Sequence, residues 1–183
     1  MKRSVIAATV LASLFMSAGS FAAEGSTEGQ LTINGKVTET TCQFLSGSEN
    51  TTISMSEIGR DQFKNVEVGS PVTTYSNTTS LPLKVKCTGG KEPRITFSST
   101  QFEGADSNIT RNTGNASGVG FAVFFGEGTD SSKRISGNSP IELTSVTNDG
   151  VYELHFTAQY AKAKNDVSTG EVSSAITMTV VTD

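Results

Sequence analysis

The chain has 183 residues, with 18 acidic against 14 basic side chains, a formal net charge of -4, no tryptophan, two cysteines and one histidine. The signs are mixed along the chain and no basic stripe is available to neutralise phosphates, so nucleic acid is excluded as a partner. Thr, Ser, Gly and Val outnumber Leu and Ala, which leans towards β structure in one domain with a single core.

The first element is "MKRSVIAATVLASLFMSAGSFAA". Lys2 and Arg3 form a charged start, residues 5–16 an apolar stretch, and Ser20-Phe21-Ala22 a small-x-small close, so residues 1–22 read as a secretory signal peptide. The apolar stretch is too short and too interrupted by Ser and Thr to span a bilayer, so an exported, soluble mature chain starting near Ala23 is expected.

In "GQLTINGKVTETTC" Leu31, Ile33 and Val37 recur at period two and lead to Cys42. The second cysteine is Cys87, and in an oxidising compartment the pair is expected as a disulfide. A zinc site would need four ligands, and two cysteines with the lone His155 cannot supply them without carboxylates.

"TTISMSEI" places Ile53 and Met55 two apart, and residues 59–75 lack patterning, as in a mobile loop or a helical turn. Alternation returns with Leu81, Leu83, Val85 and Cys87, then with Ile95 and Phe97, and with the mixed run "VGFAVFFG". In "VYELHFTAQYA" Tyr152, Leu154, Phe156, Ala158 and Tyr160 share one face, and Glu153, His155, Thr157 and Gln159 the other. That pattern predicts one half-buried antiparallel strand with His155 on its solvent side. Polar Gly- and Asn-rich stretches such as "EGADSNITRNTGNASG" read as the turns between the strands of a sandwich. The chain ends on "SSAITMTVVTD", where Ile176, Met178 and Val180 alternate with polar residues to the last position.

Little in the sequence points to chemistry. A Ser-His-Asp or Cys-His set would require His155, which the pattern puts on a surface, and no carboxylate spacing singles out a glycosidase pair. No phosphate-cradling glycine loop stands between a strand and a helix. No catalytic residue, metal or cofactor is therefore expected, and an enzyme is disfavoured.

The order of these features resembles the structural pilins of chaperone-usher fimbriae, close to type 1 major subunits. The resemblance rests on the signal peptide, "GQLTINGKVTETTC", "LPLKVKC" closing the disulfide, "VGFAVFF", "LHFTAQYAKA", and Gly170 fourteen places from the end before an alternating strand. It implies an all-β, incomplete immunoglobulin-like β-sandwich completed by a donor strand from a neighbouring subunit. Residues 23–34 would be the donor extension, with Gly29, Leu31 and Ile33 on its inserting face, and residues 35–183 the pilin domain. Gly170, Ile176, Met178, Val180, Thr182 and Asp183 would form the acceptor groove and C-terminal strand. The implied partners are other pilin subunits in a homopolymer or mixed fibre, a periplasmic chaperone that grips the Asp183 carboxylate, and an outer-membrane usher, on a route through the periplasm to the cell surface. The family usually has an aromatic residue at the penultimate position, where this chain has Thr182, which weakens the implied chaperone contact.

Two other readings fit parts of the sequence. A self-contained secreted sandwich binding a sugar or protein would share the signal peptide, the disulfide and the strand pattern, but has no use for a patterned extension before its first cysteine. A tip adhesin of the same fibre would need an added lectin domain, for which the chain is too short.

Overall fold

The fold was taken from a computed structural model that describes residues 42–88, 92–144, 146–147 and 149–182. The signal peptide, the donor extension with Gly29, Leu31 and Ile33, and the terminal Asp183 lie outside the described residues. Among the described residues the strands are β1 (Cys42–Phe44), β2 (Pro71–Thr78), β3 (Leu83–Cys87), β4 (Pro93–Phe97), β5 (Phe102–Glu103) and β6 (Ile109–Thr110). They continue with β7 (Val119–Phe125), β8 (Ile141–Glu142), β9 (Val151–Leu154), β10 (Phe156–Lys162) and β11 (Met178–Thr182). Among the described residues the helical ones are confined to three single 3-10 turns.

Every strand pair is antiparallel. The strands form three three-stranded sheets, ordered β1-β3-β9, β2-β10-β7 and β11-β4-β8, with β5 and β6 as a small ribbon. Leu83, Val85 and Leu154 of the first sheet, Val123 and Phe156 of the second, and Ile95 and Phe97 of the third meet in one core, the interior of an open sandwich. Cys42 stands opposite Cys87 in the β1–β3 register, and the two are joined by a disulfide.

Several sequence expectations need correction. The run from Tyr152 to Tyr160 is two strands, because the chain breaks at His155 and passes from the β3 sheet to the β7 sheet. β10 lies between β2 and β7 with both faces covered, so Thr157 and Gln159 are buried at 3% exposure each. His155 is half-buried, 3.4 Å from Glu127 Oε1 through Nδ1. Leu81, expected inward, precedes β3 and is 71% exposed.

Residues 59–75 contain a 3-10 turn at Arg60–Phe63, whose Phe63 is buried, followed by the first residues of β2. The expected strand at Ile53 and Met55 belongs to no sheet, and the C-terminal strand joins a sheet only from Met178. Both of these last segments still alternate between half-buried and exposed residues, so they have the period of a strand without its ladder.

Candidate functional site

These two unladdered segments face each other across an elongated groove. One end, about 580 Å³, is bounded by residues 49–55 on the first rim and 174–178 on the second, over a floor that includes Leu83, Phe121, Val123, Phe156 and Ala158. The other end, about 520 Å³, lies between Glu57, Ile58 and Arg60 and residues 167–173, over Ala116, Val119 and Tyr160. Below the groove β1 and β11 approach each other.

Each rim is anchored to the body of the domain. Asn77 Nδ2 donates to Ser54 O at 2.5 Å, Thr51 Oγ1 to Leu81 O at 2.8 Å and Tyr160 Oη to Ser56 O at 2.9 Å. The Tyr160 ring also packs against Phe121 and Phe63, at centroid distances of 5.1 and 6.5 Å. Burial, and secondarily the charge of Glu57 on the first rim, raises the Tyr160 phenol above its usual range and keeps it a donor.

The second rim is tied at residues 171, 173 and 177. The carbonyls of Glu171, Ser173 and Thr177 accept from the backbone N–H groups of Ala116, Thr113 and Ser98, at 3.0, 2.7 and 3.2 Å. The N–H groups of the same three residues donate to side-chain carboxamides: Glu171 to Asn115 Oδ1 at 2.5 Å, Ser173 to Asn112 Oδ1 at 2.8 Å and Thr177 to Gln101 Oε1 at 2.6 Å.

Strand geometry then dictates the inner edges. Glu171, Ser173 and Thr177 bond outward through both backbone groups, so by the alternation of an extended chain Val172, Ser174 and Ile176 point theirs into the groove. Among the described hydrogen bonds none reaches the backbone of these three residues, nor that of Ile53 or Met55 on the first rim. The groove thus presents two facing rows of unsatisfied peptide groups above an apolar floor, which is the environment of one absent strand.

The expected site residues are distributed along this arrangement. Gly170 heads the second rim at a φ of +146°, and a Cβ there would meet Asn115 Oδ1 and lie 2.8 Å from Ala116 N. Ile176 and Met178 line the groove. Val180 sits past it, opposite Ile95 in the β4 ladder and against the main core, and Thr182 stands opposite Pro93. Sequence reading missed Gln101, to which it gave no role, Asn112 and Asn115, which stand in a stretch read as turns, and Tyr160, whose hydroxyl reaches a segment more than a hundred positions away.

Comparison with known proteins agrees with this geometry. A sequence profile of the family described as Fimbrial protein matches residues 31–182. The fimbrial-like protein YehD of Escherichia coli (strain K12) is 34% identical over 189 residues, covering the whole of both chains. Among solved structures, a chain from a chaperone-usher pilus studied for rod uncoiling is similar at a TM-score of 0.52 and 17% identity, over 85% of this chain and 96% of that one. The P pilus rod subunit PapA is similar at 0.50 and 16% identity, over 84% and 100%. The CupB6 tip adhesin of Pseudomonas aeruginosa is similar at 0.50 and 22% identity over 66% of this chain, which spans only 33% of the adhesin. The solved structures share the open all-β fold, and the sequence matches carry the conclusion: the chain belongs to the fimbrial protein family, as a subunit whose partners are other pilin subunits and whose place is the cell-surface fimbrium.

Proposed function

We propose that the groove accepts residues 23–34 of a neighbouring copy as a missing strand, and that the protein is a non-enzymatic building unit that polymerises by this exchange and supports adhesion through the fibre. The observation that carries the reading is the pair of unpaired rims over an apolar floor. An inserted strand would satisfy both rows of peptide groups while its alternate side chains fill the pockets. Leu31 and Ile33 are the pocket-filling residues, and Gly29 fits a narrow position. Burying two or three aliphatic side chains would contribute about 4 to 8 kcal/mol, before the backbone hydrogen bonds are added.

In this reading residues 1–22 direct export and are removed, a periplasmic chaperone fills the groove first and holds the Asp183 carboxylate, and an outer-membrane usher exchanges chaperone for subunit. Thr182 in place of an aromatic residue gives the chaperone less apolar area at that end. The test is the substitution Leu31→Asp in the full chain. Wild-type protein is expected to run as a ladder of heat-dissociable multimers, and the variant as monomer, because an unpaired carboxylate would enter an apolar pocket. Wild-type multimer yield from the variant would refute the assigned insertion.

A further inference from the structure

We infer that Gln101, Asn112 and Asn115 are positioning residues for strand uptake, their carboxamides standing in for a neighbour strand on the outer edge of the second rim. The inference rests on the strand-acceptor reading and adds to it the device that keeps the acceptor in phase.

A regular ladder would give each outward residue of the rim two backbone partners. Here Glu171, Ser173 and Thr177 each receive one backbone N–H, while each of their own N–H groups goes to a carboxamide oxygen. The substitution of amide side chain for peptide group therefore repeats at all three positions. Asn112 is itself fixed, its Oδ1 accepting from Gly114 N at 2.8 Å and its Nδ2 donating to Ala116 O at 2.7 Å. Gln101 is held at both ends of its amide, since Nε2 donates to Thr177 Oγ1 at 3.1 Å. Thr110 Oγ1 donates to Ser174 Oγ, and Ser174 Oγ to Arg111 O, at 2.8 and 2.7 Å, so the rim is also held between its second and third amide clasps.

The consequence follows from the period of an extended chain. A slip of one residue would turn Val172, Ser174 and Ile176 outward and present the wrong peptide groups to an incoming strand. Clasping the N–H groups of residues 171, 173 and 177 outward forbids that slip. It also leaves the outward N–H groups of the rim without a strand to receive them, so their alignment depends on three side chains contributed by residues 101–115.

The test uses the full chain carrying Asn112→Ala with Asn115→Ala, and separately Gln101→Ala, which removes only a side-chain contact and keeps the experiment informative should the double variant fold poorly. Residue-resolved hydrogen exchange on freshly refolded wild-type protein should show slow exchange at Glu171, Ser173 and Thr177 and fast exchange at Val172, Ser174 and Ile176. The variants should lose the slow set at the clasp removed and extend multimers about tenfold more slowly per folded subunit, as expected for one to two lost hydrogen bonds. Asn115→Asp, which retains the acceptor oxygen for Glu171, should restore most of that rate. A merely structural role would lower the urea midpoint while leaving the growth rate of the folded fraction unchanged, and that result overturns the inference. Growth at the wild-type rate with Leu31→Asp still inactive would also overturn it and leave strand exchange standing. If wild-type protein formed no multimers and residues 172, 174 and 176 never became protected, the strand-acceptor reading and the inference would fail together.

Discussion

Replacing Gly170 with alanine tests the junction where the second rim begins. The residue sits at a φ of +146°, a conformation that costs an alanine about 1 to 2 kcal/mol. The new Cβ would also press on Asn115 Oδ1 and lie 2.8 Å from Ala116 N. Those two groups hold Glu171 from both sides, one accepting its N–H and the other donating to its carbonyl. Displacing them gives up roughly 1 kcal/mol per hydrogen bond, for a total loss of about 3 to 4 kcal/mol. Gly69 supplies the control, since its φ of +97° is also unfavourable for alanine but nothing lies within 4 Å of its Cβ position. Gly69→Ala should therefore lose only the conformational part. With a urea dependence of about 1 to 3 kcal/mol per molar for a domain of this size, the two midpoints should differ by roughly 1 M. Coincident midpoints would show that residues 115 and 116 do not clamp the rim, and the reasoning would fail.

The Cys42–Cys87 bridge spans a sequence separation of 45, so replacing both cysteines with alanine should lower stability by about 4 kcal/mol in urea unfolding, and a loss below about 1 would contradict the chain-entropy account. Tyr160 predicts a pH dependence. Its phenol is raised from 10.0 by burial and then by Glu57, so the neutral form is preferred in the fold. Its contribution is fully present below pH 10 and is lost as pH rises through the higher folded-state value. The stability difference between wild type and Tyr160→Phe, including about 1 kcal/mol for the bond to Ser56, should shrink on raising the pH from about 9 to 11, and a constant difference would refute the assignment.

Much of the sandwich was legible because half-buried strands announce themselves by period two: Leu83 and Val85, or Ile95 and Phe97, could face only one way. The rims were legible as extended chain for the same reason. Their lack of a ladder was not, because alternation reports which side chains are inward and says nothing of which peptide groups are paired. β10 was misread for a related cause: it is covered on both faces, so Thr157 looked like a solvent residue. In the fold its hydroxyl donates to Gly126 O and accepts from Gly128 N. Asn112 and Asn115 were hidden because their partners lie about sixty positions away, and in a chain full of Asn and Gly a structural carboxamide looks like any turn residue.

The disulfide has a mechanical consequence. Cys42 opens β1 and is cross-linked to Cys87 at the facing end of β3, so a load on that end of β1 arrives at the cross-link itself. The load passes directly to β3, which is flanked by β1 on one side and β9 on the other. Peeling β1 from its edge one hydrogen bond at a time, starting at Cys42, is therefore prevented, and that end of the strand can leave only together with β3.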